Sequence, residues 1–324
     1  MTPIPVSLTH AQSYQRELLA PALRTLLHPL GGLAAFIHPG DRVLLKPNML
    51  TGKHPGKECI TNPQLVRCVA ELVQACGAHP FIGDSPTFYS AHGVARAAGY
   101  LPWLQELNVP VVELHGQPYP TGNPEFSHLR LSKEAMAADV VINLPKVKSH
   151  SQLTLTLGVK NLFGCVPGKT KTWWHMEAGA DHRRFSAMLV ETANTIGPDL
   201  TIIDGIIGHE GDGPSNGEPR PLGLVGASTN VFALDYVISK ILQINPSLVP
   251  TIAASIAMGL CPPEDAIYYP LLTPDTLIVE DWQLAPKPIP IDFGLPRVLR
   301  STLKTVFTRL IKEPISHYYD RSPS

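Results

Sequence analysis

The sequence predicts an α/β protein: a mostly parallel sheet with helices on both faces, whose strand C-terminal ends form one polar crevice. Short unbroken apolar runs such as "DRVLLKPN" (41–48), "HPFIGDS" (79–85) and "ADVVINLPK" (138–146) read as strands buried on both faces. Stretches of helical period stand between them, which is the rhythm of a parallel sheet with crossover helices. Each run also finishes in groups able to bond a ligand, and in open parallel sheets ligands bind outside the carboxyl ends of the strands.

In chain order, residues 11–27 read as a helix, with Leu18, Leu19, Ala22, Leu23, Leu26 and Leu27 at helical spacing. "NPQLVRCVAELVQACGA" (62–78) is a second, with Asn62 as N-cap, Pro63 in the first turn and Gly77 as the stop. Shorter helices follow near 90–98 and 101–107, then a strand in "VPVVEL". In the second half "RRFSAMLVETANTIG" is a helix, "DLTIIDGI" and "PLGLVGAS" are strands, "NVFALDYVISKIL" is a helix and "PSLVPTIAASIAMGL" is a further helical stretch. "DTLIVED" reads as a late strand. "PRVLRSTLKTVFTRLIK" (296–312) is amphipathic, with Arg297, Arg300, Lys304, Arg309 and Lys312 on its polar side and no acid among them. The expected organisation is a helical lead-in (1–40), an α/β core (41–290) and a basic amphipathic helix with its tail (291–324).

The 324 residues carry 26 Lys plus Arg against 27 Asp plus Glu, and the net charge of -1 argues against nucleic acid as a partner. No basic flank and apolar core open the chain, and no stretch reaches the roughly 20 apolar residues of a bilayer span, so a cytoplasmic protein is expected. The 5 cysteines are scattered without a C-x-x-C pair, which fits reduced thiols, and no intrinsic iron–sulfur cluster is expected from their spacing. Many of the 33 prolines stand in connections, which implies stiff loops.

The polar strand ends are Lys46-Pro47-Asn48, Gly83-Asp84-Ser85-Pro86, Asn143 through His150, Asp204-Gly205 and Ser228-Thr229-Asn230. In "VVINLPKVKSHSQ" a period of two sends Lys146, Lys148 and His150 to one face. Adjacent cations repel unless something negative lies between them: a phosphate, a polycarboxylate or the acidic loop downstream. Solvated lysines in an extended loop are the plain alternative, and Pro145 favours a strand end over a strand middle.

In "LGVKNLFGCVPGKTKTWWH" (157–175), Gly158, Gly164 and Gly168 let backbone N–H groups approach an oxyanion, and Lys160 and Asn161 add a charge and an amide. P-loop spacing is absent around Lys169-Thr170, and Trp173-Trp174 reads as core or rim packing. "DGIIGHEGDGPSNGEPR" (204–220) is a glycine-rich polar loop whose His209, Glu210 and Asp212 could cover a site or hold a hard cation, without EF-hand spacing; which metal, if any, is not specified. Asp204 is the stronger acid of the group, placed to balance the lysines. No G-x-G-x-x-G dinucleotide motif follows the first strand, and Ser85 lies in "GDSPT" rather than in a G-x-S-x-G elbow.

Together "KPNM", "GDSP", "NLPKVKSH", "GVKNLFGCVPG…WWH" and "DGIIGHEGDGP", in that order between about residues 41 and 260, resemble the domain of unknown function 362 family. The resemblance implies a shared core in which Lys46, Asn48, Asp84, Ser85, Asn143, Lys146, Lys148, His150, Lys160, Asn161, Asp204, Glu210 and Gly211 occupy the family's motifs. Many members look like iron–sulfur proteins because a ferredoxin-type module is attached; here no cysteine cluster follows Cys261. The resulting expectation is a protein that binds a small anionic metabolite or cofactor of unknown identity through Lys46, Asn48, Asp84, Ser85, Asn143, Lys146, Lys148, Lys160, Asn161 and Gly164. As an enzyme it would move a proton through His150 with Asp204 or Glu210, with a separate ferredoxin as redox partner. The alternative is a non-catalytic ligand-binding or cofactor/cluster assembly protein. Peripheral membrane contact through the basic tail helix is a third expectation.

Overall fold

Among the described residues nine strands form one sheet. The computed structural model describes residues 3–52, 55–86, 88–168, 170–177, 181–287, 289 and 308. The strands are β1 (Ser7–His10), β2 (Arg42–Pro47), β3 (His79–Asp84), β4 (Val111–Glu113), β5 (Val140–Leu144), β6 (Lys146–His150), β7 (Thr154–Thr156), β8 (Leu200–Glu210) and β9 (Glu218–Ser228). From β2 the chain passes through α2 (Pro63–Ala75) to β3, and through α3 (Ala91–Ala97) and α4 (Leu101–Glu106) to β4, each new strand parallel and further out. A two-stranded ribbon, Gly116–Pro120 against His128–Ser132, then leads back to β5, which lies parallel on the other side of β2. Lys46 and Asn143 are register neighbours at this reversal, the point where α/β sheets offer a ligand crevice.

Pro145 separates β5 from β6. It has no N–H for the ladder, but its carbonyl still accepts from Asp204 N at 2.8 Å, so β8 runs past the break and pairs first with β5 and then with β6. β9 folds back antiparallel on β8, and β1 pairs antiparallel with β9.

Alternation divides the strand residues between two faces. Val43, Leu45, Ile82, Val140 and Ile142 pack against α1 (Arg16–Leu27) and α2. Leu44, Phe81 and Val141 meet Phe185, Met188 and Leu189 of the helix His182–Ile196, together with ribbon residues Leu129 and Leu131. Farther along the sheet Leu8, Ile203 and Leu224 bury Val237, Ile238 and Ile241 of the helix Val231–Ile241. At α2 the Asn62 side chain accepts from Gln64 N at 3.0 Å and Pro63 opens the first turn, as its sequence predicts.

Several expectations change. The first helix starts at Arg16, and the residues before it supply β1, a short edge strand whose polar "SLTH" carries little signal of its own. Asp204 lies inside the eleven-residue β8 rather than at its end. Ser228 ends an antiparallel strand, in register with Thr201 and through it with Asn143, but its hydroxyl donates to Pro5 O rather than to the lysine network. "DTLIVED" forms a single 3-10 turn, Pro274–Leu277, and no strand. The basic helix expected at 296–312 lies outside the described residues.

Asp235 fixes the start of α5 (Gly158–Leu162): its carboxylate accepts from Gly158 N at 2.7 Å and Val159 N at 2.9 Å. A Cβ on Gly158 would stand 2.6 Å from Val231 Cγ2, which explains the glycine. Burial pushes the Asp235 carboxyl up to about 7. Its unfolded value is near 3.9, so the native state holds a proton that the unfolded chain has lost, and this group's contribution to stability falls as pH rises from about 4 to about 7. Urea titrations across that range should show the decline in the wild type and a weaker one in Asp235→Asn. Asp235→Ala should cost about 1–3 kcal/mol by orphaning two buried N–H groups.

Candidate functional site

The polar ends of β2, β3, β5 and β6 converge, but into a packed network rather than an open crevice: Lys46, Lys146 and Lys148 are all 0% exposed. Burying an ammonium is tolerable only when its hydrogens find acceptors and its charge finds a partner. The three lysines meet this requirement to very different degrees.

Lys146 meets it fully. Its Nζ donates to Glu58 Oε2 at 2.6 Å, Tyr14 Oη at 2.8 Å and Asp204 Oδ2 at 3.1 Å. Tyr14 donates to Asp204 Oδ1 at 2.6 Å, and Asn62 N, at the cap of α2, reaches Asp204 Oδ2 at 2.9 Å. Burial, opposed by Lys146, pushes the Glu58 carboxyl up, and burial together with Asp204 and Glu58 holds the Tyr14 phenol well above its ordinary value.

Lys46 is also saturated. It pairs with Asp84 Oδ1 at 3.1 Å and donates to Pro47 O at 2.8 Å and Asn161 Oδ1 at 3.4 Å. Asp84 in turn accepts from Met49 N at 2.7 Å and Ser85 N at 2.8 Å. Asn161 donates to Lys46 O and Asn143 Oδ1, and Asn143 donates to Gly158 O, which ties β2, β5 and α5 together through amides. The Gly164 backbone lies against the ion pair: a Cβ there would stand 2.0 Å from Asp84 Oδ1 and 2.5 Å from Lys46 Nζ.

Lys148 is different. Its partners are neutral, Asn48 Oδ1 at 2.9 Å and Cys59 O at 2.8 Å, and they occupy two of its three hydrogens. Close by, half-buried Lys160 and Lys171 both stand over the Phe163 ring, at 4.6 and 5.8 Å from its centroid, and Lys171 also donates to Ser85 O. Among the described residues none of these three pairs with a carboxylate. Burial pushes Lys148 and Lys171 down to about 8, and burial with Lys171 and Lys148 beside it pushes Lys160 down to about 7.

His150 is buried with its acceptor nitrogen already in use. Its Nδ1 accepts from Gln152 N at 3.0 Å and Leu153 N at 3.3 Å, so the proton sits on Nε2. Burial and the ammoniums of Lys160 and Lys148 drive its pKa well below the ordinary value. It is a neutral donor. Glu210 is not in the network: it pairs with Arg220 at 3.3 Å and accepts from Gln283 N at 3.0 Å. His209 is buried, with Lys57 O and Gly217 N at its ring nitrogens, and no group of three or more His, Cys, Asp or Glu among the described residues could hold a metal. Lys169 lies outside the described residues.

Sequence reasoning missed Tyr14, Glu58, Lys171 and Asp235. Only Asp235 carried a usable signal, as an acid on an otherwise apolar helical face in "NVFALDYVISKIL". The others reach the site through tertiary packing.

Residues 43–240 match the family described as Domain of unknown function (DUF362), and the chain belongs to that family. A close relative, the Thylakoid-associated protein sll1697 of Synechocystis sp. (strain ATCC 27184 / PCC 6803 / Kazusa), is 60% identical over 313 residues, which is 97% of this chain and 98% of that protein. Among solved structures, the lactate racemase apoprotein from Thermoanaerobacterium thermosaccharolyticum aligns at 12% identity with a TM-score of 0.46, over 73% of this chain and 57% of its own.

Replacing Lys146 by Met leaves Glu58 and Asp204 buried without their cation, and should cost about 3–5 kcal/mol in urea unfolding. Adding Asp204→Asn to that variant should recover part of the loss. A cost below about 1 kcal/mol, the range of an exposed pair, would mean that the three charges do not meet. Gly164→Ala should separate Lys46 from Asp84 and lower the melting temperature, at a cost of about 1–3 kcal/mol.

Proposed function

We propose that the protein binds a small, multiply charged anion, a phosphate or a polycarboxylate, against Lys148, Lys160 and Lys171 beside the β2/β5 reversal. One observation carries the reading: Lys160 and Lys171 stand over Phe163, Lys148 lies near enough to act on Lys160, and the carboxylate beside them, Asp84, is already committed to Lys46. Burial above all depresses the three lysines, with Lys171 and Lys148 adding to it at Lys160, and a bound anion would oppose the shift. His150 Nε2–H adds a neutral donor.

We assign any proton transfer to Lys160, of the three lysines the one nearest neutrality. Lys160→Arg separates catalysis from holding: the guanidinium keeps its charge but does not titrate, so binding should persist while any turnover is lost. A non-catalytic carrier of the anion would tolerate the change.

Calorimetric titration of the full chain with inorganic phosphate and with citrate tests the reading. Binding should be tighter below pH 7 and weaken as pH rises through about 7 to 8, where protons must be taken up with the anion; each group that titrates limits the change to about tenfold per pH unit. Lys160→Met should weaken binding about tenfold or more. Absence of saturable binding of either anion at pH 6 to 7 would end the proposal.

A second reading, peripheral membrane association, is favoured by the name of the Synechocystis relative, which describes that protein as thylakoid-associated. No helix among the described residues is long and apolar enough to cross a membrane. Contact would fall to Arg297, Arg300, Lys304, Arg309 and Lys312, on the segment that the sequence reads as amphipathic. Changing these five to Gln should abolish co-sedimentation with anionic vesicles, and unchanged sedimentation would dismiss the tail's role.

A further inference from the structure

A second concave surface shares a helix with the lysines but none of their chemistry. It is a cleft of about 420 Å³ between the ribbon, which supplies His128 and Arg130, and α6 (Thr170–Glu177), which supplies Thr170, Trp173 and Trp174. Its volume falls within the range of small-molecule sites.

The two indoles play different parts. Trp174 is buried, edge-on to Phe126 at 5.9 Å between ring centroids, and forms a fixed wall. Trp173 stands against it at 4.8 Å and 71° and is 48% exposed, so a large apolar ring faces solvent from inside a concavity. Arg130 donates to Gly116 O at 2.9 Å and has no carboxylate partner among the described residues, which leaves most of its five donors unspent. His128 Nδ1 lies 3.3 Å from Ser127 Oγ. Among the described residues no acid lines the cleft; the neighbouring Glu125 and Glu177 are both held by Arg184.

An open indole face stacks on a planar ring, and an uncommitted guanidinium beside it takes a phosphate or carboxylate. The geometry points to a binding site for a planar aromatic ligand that carries an anionic group, its ring on Trp173 and its charge toward Arg130. This site is separate from the one proposed for Lys148, Lys160 and Lys171. Lys171 projects from α6 toward Phe163 and Ser85, while Thr170, Trp173 and Trp174 of the same helix line the cleft.

AMP is a suitable probe, with adenosine as the ring alone and ribose phosphate as the charge alone. Equilibrium dialysis against the full chain avoids reliance on tryptophan fluorescence, which the decisive variant would alter. In Lys160→Met, where the lysine site is weakened, AMP should bind saturably, adenosine about tenfold more weakly and ribose phosphate not at all in the same range. Trp173→Ala should lower AMP affinity about tenfold or more, and Arg130→Gln should remove most of the preference for AMP over adenosine. Both side chains are exposed, so unchanged melting curves should accompany these losses. Lys160→Met should leave AMP binding intact. The assignment fails if AMP does not bind, if ribose phosphate binds as well as AMP, or if Trp173→Ala retains full affinity. It also fails if Trp173 supports sedimentation with anionic vesicles but no AMP uptake, which would make this face a lipid contact.

Discussion

The structure turns on how one end of a sheet can bury ammonium groups. Lys46, Lys146 and Lys148 have no exposed surface, and removing such a group from water costs several kcal/mol unless protein atoms replace the lost solvation. The chain supplies those atoms from distant places. Lys146 draws on Tyr14 ahead of α1, on Glu58 ahead of α2 and on Asp204 within β8, so three separate segments are pinned to one nitrogen. The Thr61 hydroxyl completes the lacing by accepting from Asn48 N and donating to Leu144 O. Misplacing any of these segments would leave a buried charge uncompensated, so the network selects one arrangement of the sheet's polar end.

Much of this is legible in the sequence where geometry alone decides. A period of two in an extended chain puts Lys146 and Lys148 on one face, and both do reach the same connection, at Glu58 and Cys59. The apolar runs for β2, β3, β5 and β8 locate their strands because a continuous buried strand needs little beyond its own composition. Direction is another matter. An apolar run does not reveal whether a strand is parallel, so the sequence leaves unread that β9 runs back along β8 and that the Ser228 hydroxyl meets Pro5 O rather than the lysines. A signal does exist: the seven residues between β8 and β9 are too few for a parallel crossover, and that length alone demands a hairpin.

The titration pattern is not legible, because the ordinary pKa of a side chain is that of a group surrounded by water. By ordinary values His150 is the group that changes charge near neutrality and the lysines are fixed cations. Burial reverses the order. The imidazole, enclosed beside ammoniums and accepting two backbone N–H bonds, stays neutral, while Lys160 descends into the range that a solvated histidine would occupy. The same low-dielectric surroundings act in opposite directions on neutral and charged outcomes, and only the fold shows which groups are enclosed together.

The contrast between Lys146 and Lys148 bears on why charges lie here at all. A buried ion pair is weak evidence of a stabilising role, since apolar residues of similar volume often serve a fold equally well. Lys146, with two carboxylates and a phenol, at least recovers much of its desolvation cost. Lys148, on a neutral amide and a carbonyl with Lys160 and Lys171 nearby, does not. A sequence shaped only for stability would replace it with leucine or methionine. A cation kept buried, short of a counter-charge and next to the reversal point of the sheet is the kind of local cost that functional sites carry, and the proposed anion would offset it.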